Sequence, residues 1–244
     1  MTRQRLDESL VLRKLVQSRS RARDAILRGT VWVNGTAARK PSQTVLDSDT
    51  LRVDDIAQRY VSRSALKLLH GLQHFNIAPK GRSALDIGAS TGGFTQVLLE
   101  QGAAHVTAID VGHGQIADQL TSDVRVTIFE ELNAKDLQRQ HISEGVDLIV
   151  CDVSFISLKL ALLAALDLVA KSSELIALVK PQFEVGREFV GKGGLVTDPQ
   201  QHVRVCNEVA DFLEQHGWAV KGLTHSPIEG GDGNAEFLIA AVKR

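Results

Sequence analysis

The 244-residue chain reads as an α/β protein built on a doubly wound, seven-stranded mixed sheet and preceded by a small α+β module. Three observations predict this. Residues 84–111, ALDIGASTGGFTQVLLEQGAAHVTAIDV, run from an apolar strand through a glycine turn and a helix into a second strand. Further apolar runs near 125–129, 146–152, 174–180, 218–225 and 236–242 alternate with helical stretches, the signature of a sheet with crossover helices. The charge divides sharply: residues 1–52 hold 11 Lys and Arg against 5 Asp and Glu, a net +6, which leaves −7 on the remaining 192 residues. With 43% hydrophobic residues there is enough chain for one full α/β domain and a small satellite.

In chain order, the N-terminal segment reads helix, helix, strand, turn, strand. Leu6, Leu10 and Leu15 mark one apolar face near the helical period. Ser18 or Ser20 can cap a second helix whose Ala22, Ala25 and Ile26 face inward, and Gly29 stops it. Val31–Val33 and the Asn34-Gly35 turn open a hairpin-like element that continues to Leu51–Val53. Arg3 and Arg5 precede the first helix, while Arg19, Arg21, Arg23 and Arg28 surround the second, and these six are the RNA-binding candidates. The order of elements resembles the small αL-type RNA-binding domain of ribosomal proteins, pseudouridine synthases and tyrosyl-tRNA synthetase. An ordinary solvated arginine-rich helix is the competing reading. Residues 54–59 form a short polar linker, so residues 1–58 are assigned to this module with its linker and 59–244 to the sheet domain. A helix over 62–75 opens the latter.

The glycine turn points to a nucleotide-type ligand. Gly88, Gly92 and Gly93 allow a tight turn and close backbone approach, and a carboxylate at the end of the second strand, Asp110, can accept both hydroxyls of a ribose. The glycines do not spell G-x-G-x-x-G, so the arrangement suits S-adenosylmethionine, which offers no pyrophosphate to a helix N-terminus, better than a dinucleotide. The cofactor-binding candidates are Asp86, Gly88, Ser90, Thr91, Gly92, Gly93 and Phe94 of the first strand, turn and helix, together with Asp110, Asn133, Asp136 and Asp152. Asn133 and Asp136, in NAKDL, are candidates for the adenine edge, with a helix cap as the alternative.

Three look-alike motifs are set aside. Residues 88–92 fit the G-x-S-x-G elbow of serine hydrolases, but a hydrolase sheet needs several strands and an oxyanion loop before its elbow. Residues 186–193, GREFVGKG, fit phosphate-loop spacing up to Lys192, yet Gly193 stands where a magnesium-binding Ser or Thr belongs, so a substrate loop is expected. His70 and His74 have helical i,i+4 spacing without a third ligand, and no metal is expected.

Function in an open α/β sheet gathers at the carboxyl ends of its parallel strands. Asp152 follows VDLIVC, Lys180 follows ELIALV, and Glu236 begins the final strand EFLIAAV. If that strand runs antiparallel, its start shares an edge with the other strands' ends, and the three side chains can converge beside Gly88 and Asp110. Lys67, in YVSRSALKL, is a fourth candidate. Taken singly, each could be a solvated strand end, a helix cap or a surface residue.

RLDESLVLRKL, VWVNG, YVSRSALKL, LDIGASTGGFT, CDVSF, LVKPQFE, VGKGG and GNAEF together resemble the TlyA family of ribosomal RNA 2′-O-methyltransferases, whose catalytic domain is of the FtsJ type. The likeness spans nearly the whole chain, with the motifs in order. It implies a Rossmann-like methyltransferase fold, S-adenosylmethionine as cofactor, ribosomal RNA or ribosomal subunits as partner, and a Lys-Asp-Lys-Glu catalytic tetrad at Lys67, Asp152, Lys180 and Glu236. In YVSRSALKL, Ser64 and Ala65 replace small residues often seen as glycine, while Lys67 is retained. A ribose 2′-hydroxyl must lose its proton as it attacks, and Lys180 is the candidate base, its neutral form favoured by a second cation at Lys67. No metal is required, because the leaving group departs neutral.

Competing readings are an inactive ribosome-binding or assembly factor and, since members of this family have carried haemolysin names, a cytolysin. The two cysteines, Cys151 and Cys206, lie in no disulfide or metal-ligand spacing, the N-terminus lacks an apolar signal core, and the longest apolar run is too short to span a bilayer. A cytoplasmic protein without stable membrane insertion is the expectation. Oligomeric state is left open.

Overall fold

The computed structural model describes residues 3–244, and the chain divides into two compact units, Met1–Arg59 and Tyr60–Arg244. In the first unit, β1 (Arg3–Arg5) leads into α1 (Leu6–Leu12) and α2 (Arg19–Leu27), followed by β2 (Val31–Val33), β3 (Thr36–Ala37), β4 (Thr44–Leu46) and β5 (Leu51–Val53). Ser18 caps α2, its hydroxyl accepting the Arg21 N–H, and Arg28 ends the helix before Gly29 turns at φ +75°. Asn34 and Gly35, both at positive φ, make the tight turn between β2 and β3, and β5 pairs with the other edge of β2. Leu6, Leu10, Ala22, Ala25, Ile26 and Val31 are fully buried together and form this unit's core. The β1–β4 pairing is invisible in the sequence, since a three-residue strand shows no period. Arg13 has a structural task, donating to the carbonyls of Asp49 and Leu46 at 2.6 and 2.8 Å.

The second unit contains α3 (Ala65–Phe75), β6 (Ser83–Ile87), α4 (Gly93–Glu100), β7 (His105–Ile109), α5 (Asp118–Thr121), β8 (Val126–Phe129), β9 (Val146–Cys151), α6 (Leu158–Leu168), β10 (Glu174–Val179), α7 (Pro181–Glu184), α8 (Pro199–Gln215), β11 (Trp218–His225) and β12 (Phe237–Lys243). The expected helix over 62–75 begins three residues later, because Ser62, Arg63 and Ser64 form a turn in which the two serine hydroxyls bond each other. Sheet order is β11-β12-β10-β9-β6-β7-β8, seven strands with β12 antiparallel to both neighbours. The chain reverses its direction of travel between β6 and β9, and the crevice outside the strand ends opens at such a switch point.

Both faces of the sheet are covered, so its central strands are apolar on both sides. Leu85, Ile87, Ile149 and Cys151 point to the face packed by α6 and α8, while Ala84, Leu148, Val150 and Ile176 point to the face packed by α3 and α4. On α3, Ala65, Leu68, Leu72 and Phe75 recur at helical spacing and make its buried stripe. Gly71 belongs to the same stripe because a Cβ there would come within 3.1 Å of Ile176.

Leu68 is fully buried on α3, one residue from Lys67. Leu68→Ala should therefore cost about 2–5 kcal/mol of stability. In urea unfolding this appears as a lower midpoint with an unchanged slope.

Candidate active site

Strand register brings the site together. Ile87 pairs with Ile109 on one side and with Cys151 on the other, so the next residues, Gly88, Asp110 and Asp152, emerge level at the carboxyl edge. Phe237 pairs with Val179, and the antiparallel direction of β12 puts Glu236 beside Lys180 at that edge. Gly88 has φ +82°, and a Cβ there would stand 2.6 Å from the Asp152 carbonyl oxygen, so glycine is required for the two strand ends to approach this closely.

A crevice of about 520 Å³ lies over these strand ends, with Gly88, Ser90, Asp110, Asn133 and Asp152 on its wall and Ile109, Leu132, Val153 and Ile156 as apolar lining. The Asp110 carboxylate accepts the Ser90 N–H at 2.8 Å on one oxygen and the Gly112 N–H at 2.7 Å on the other. Each oxygen retains acceptor capacity for a ligand hydroxyl. Asn133 caps the short 3₁₀ turn Ala134–Asp136, accepting the Lys135 N–H, and also lines the crevice, so the cap and the ligand wall are one residue. Glu130, which sequence reasoning missed, accepts the N–H groups of Gly114 and Gln115, which hold its carboxyl below the usual range. It thereby fixes the loop carrying Gly112 and Gln115.

Six other cofactor candidates do not line the crevice. Asp86 is fully buried inside β6 and accepts the Thr95 hydroxyl at 2.6 Å. Phe94 lies in the core, the Thr91 carbonyl accepts the Ala117 N–H, and Asp136 stands at the end of its 3₁₀ turn. At Gly92 and Gly93 an added Cβ would run into Leu120 and into Ser64 Oγ respectively. All but Asp136 stand in or beside the glycine turn and shape it from behind: the sequence locates the turn but not which of its atoms face outward.

Lys67, Asp152, Lys180 and Glu236 form one cluster. Lys67 Nζ lies 2.5 Å from Glu236 Oε2 and 3.8 Å from Asp152 Oδ2, and Lys180 Nζ lies 2.6 Å from Asp152 Oδ1. Lys67, Lys180 and Glu236 are buried, at 6%, 7% and 4% exposure, which places both cations where only paired carboxylates make their desolvation tolerable. A second crevice of about 600 Å³ opens on this cluster, lined by Lys67, Lys180 and Glu236 with Arg63, Phe183 and Asp232. Val190, within the 186–193 segment where the sequence suggests a substrate loop, and Gly194 just beyond it also line this crevice. Ser154 and Phe155 line both crevices, so the two share a wall next to Asp152. Sequence reasoning singles out neither residue, although both stand in the CDVSF motif.

Comparison with known proteins matches this architecture to one family. The FtsJ-like methyltransferase family matches residues 60–243, three quarters of the chain, and the S4 domain family matches residues 4–51. The chain belongs to the FtsJ-like methyltransferase family. It is 46% identical to the 16S/23S rRNA (cytidine-2′-O)-methyltransferase TlyA of Mycobacterium tuberculosis, over 97% of this chain and 89% of that protein. A solved structure from Streptococcus thermophilus, named as a hemolysin, is 39% identical and superposes with a TM-score of 0.77 over 100% of this chain and 89% of its own. A protein from Listeria monocytogenes, named as an S-adenosylmethionine-dependent methyltransferase, is 14% identical with a TM-score of 0.57 over 74% of this chain and 98% of its own, a likeness of fold alone.

In the S4 domain of this FtsJ-like methyltransferase, Arg5, Arg19 and Arg23 surround a concavity of about 490 Å³ with Ser20 and Ser42. Arg5 and Arg19 both reach Asp7, at 2.9 and 3.4 Å, and the Arg5 hydrogen bond foremost holds the Asp7 carboxyl below the usual range. Arg3 is exposed and Arg21 half-buried. Arg28 differs, being tied to Asp55 at 2.6 Å as a largely buried internal pair, and so braces the domain where the sequence suggests an RNA contact. His70 and His74 stack at 5.7 Å, and no group of three or more metal-ligating side chains occurs among the described residues. Among the described residues no helix is long and apolar enough to cross a membrane.

Burial pushes the Asp86 carboxyl from an ordinary 3.8 up to about 7, against the Thr95 hydrogen bond and with the Asp152 charge adding to the rise. Between these two values the unfolded chain gives up a proton that the folded chain retains. Stability therefore falls as pH rises through this window and levels off above about 7. Asp86→Asn, neutral at every pH, should remove this slope: its urea midpoint relative to the parent should rise from pH 4 to pH 7, whereas a constant difference would contradict the assignment.

Proposed function

We propose that this protein transfers a methyl group from S-adenosylmethionine to a ribose 2′-hydroxyl of ribosomal RNA. The observation that carries the reading is the buried Lys67–Glu236 and Lys180–Asp152 pairing at the meeting point of two crevices. One crevice suits the cofactor. Asp110 offers oxygens for the ribose hydroxyls, Asn133 a polar edge for adenine, and Ile109, Leu132 and Ile156 an apolar wall for the base, while the bare Gly88 leaves room at the turn. When bound, S-adenosylmethionine supplies a methyl group on a sulfonium sulfur that departs as a neutral thioether.

The chain's own residues then have separate tasks. Lys180 Nζ takes the proton of the ribose 2′-hydroxyl, which leaves that oxygen free to accept the methyl group that bound S-adenosylmethionine would supply. Asp152 holds Lys180 and touches Lys67, so it links the two cations. Glu236 neutralises Lys67, whose ammonium faces the acceptor crevice and can orient the incoming oxygen. The shared wall at Ser154 and Phe155 lets acceptor and methyl donor approach from neighbouring chambers, which converts the transfer into a positioned, effectively unimolecular step. A non-catalytic assembly factor would have no use for two buried cations whose desolvation must be offset by two carboxylates.

The relative named TlyA acts on ribosomal RNA, and the S4 domain supplies the corresponding contact here. Arg5, Arg19 and Arg23 around one concavity, within a segment of net charge +6, make a footprint for phosphate groups. Arg3 and Arg21 extend it.

Lys180→Ala should bind cofactor and RNA normally yet lose methyl transfer by roughly 10²–10⁴. Lys180→Arg should fail too, because guanidinium keeps its proton. Single-turnover assays with labelled cofactor and ribosomal subunits measure both, and near-parental transfer by the Arg variant would eliminate the general-base role.

RNA affinity of the intact protein should fall linearly on a log–log plot against salt, since binding to phosphates releases counterions. Replacing Arg19 and Arg23 with Gln should weaken RNA binding and reduce that slope by roughly 1 for each phosphate no longer neutralised, with cofactor affinity unchanged. Filter binding across a salt series tests this, and an unaltered slope would remove these two arginines from the interface.

A further inference from the structure

Directly after Asp152 the chain turns through a residue in the left-handed region: Phe155 has φ +66°, a conformation bulky L residues rarely adopt. The Phe155 ring is 91% exposed, and Ser154 Oγ lies 2.9 Å from Lys180 Nζ. The Lys180 nitrogen therefore has two protein partners, Asp152 Oδ1 at 2.6 Å and Ser154 Oγ at 2.9 Å. An ammonium carries three N–H groups in tetrahedral array. The Asp152 ion pair alone would leave its rotation unfixed. A second partner fixes its rotation, and the third position is left for the acceptor crevice that Lys180 and Ser154 both line.

We propose that Ser154 is a positioning residue whose hydrogen bond to Lys180 Nζ sets the rotation of the amine, so that its lone pair faces the ribose hydroxyl in the acceptor crevice. This rests on the reading of Lys180 as the base. A hydroxyl suits the task better than another carboxylate would. It accepts a hydrogen bond from one N–H of Lys180, which the nitrogen carries both as ammonium and as neutral amine, so the same N–H is held in both states and the lone pair is left to the crevice. Asp152, Lys67 and Glu236 already balance the charge around it, and a third carboxylate would hold the proton on Lys180 when it must be absent.

The test compares Ser154→Ala and Ser154→Thr in the full chain, in single-turnover methyl transfer to ribosomal subunits at saturating S-adenosylmethionine across pH, with Lys180→Ala as control. The Ala variant should be roughly 10–100-fold slower while its dissociation constants for cofactor and RNA are unchanged. Its pH–rate profile should differ from the parent's, which a merely structural role would leave unchanged. The Thr variant, which keeps the hydroxyl, should recover to within about threefold of the parent. A parental rate and profile for Ser154→Ala would overturn the proposal, and so would a defect that vanishes at saturating cofactor, which would put Ser154 in service of the cofactor crevice. If Lys180→Ala itself retains transfer, the base assignment falls, an outcome distinct from a failure of Ser154 alone.

Discussion

Two ammonium groups and two carboxylates share one nearly dry edge of the sheet, and none of the four would be tolerable there without the others. Removing any partner leaves an uncompensated buried charge, whose cost in a protein interior runs to several kcal/mol. The fold meets this constraint through its one reversed strand. Because β12 runs against β10, a residue at its beginning rather than its end reaches the carboxyl edge, and that residue is Glu236. A seventh strand in the parallel sense would have brought its other end there, leaving Lys67 facing Asp152 alone at 3.8 Å.

The same edge explains why there are two crevices rather than one. Gly88 lets the end of β6 lie close against the Asp152 carbonyl, and two residues further on Ser154 and Phe155 line both crevices. The two crevices thus share a wall, with Asp152 at its root. Backbone crowding at one glycine thus separates the chambers, and charge pairing at four side chains arms the junction between them.

Much of this is legible in the sequence, because strand ends are marked by an abrupt change from apolar to polar residues. Asp110, Asp152 and Lys180 each follow such a run; Asp110 and Asp152 align by in-register parallel pairing with β6, while Lys180 stands two residues beyond the position opposite Asp152. The facing of residues inside the turn is not legible. Asp86 stands two residues from Gly88 and reads as part of a ligand-binding motif, yet its side chain is fully buried and bonded to Thr95. Arg28 looks like its neighbours on a basic helix, and only the spatial approach of Asp55, 27 residues away, converts it into a brace. Glu130 and Ser154 escape sequence reasoning for a related cause: each acts through a hydrogen bond that depends on a turn, and turns of this kind leave no periodic trace.

The position of β12 in the sheet has a consequence for how the molecule is made. It lies between β10 and β11, although it follows both in the chain. During synthesis β10 must wait with an open flank while α8, β11 and the connecting loop emerge, and β11 has no strand beside it to dock on. The β11 end of the sheet is therefore joined to the rest only when residues 236–243 become available, and Glu236 arrives in that same closing step. A nascent chain can assemble its S4 domain and the β6 to β9 part of the crevice that holds Asp110 well before then, but the quartet of charges remains incomplete. Completion of the charge cluster is thereby tied to closure of the core, so a partly synthesised or frayed molecule would hold Lys67 without its Glu236 partner.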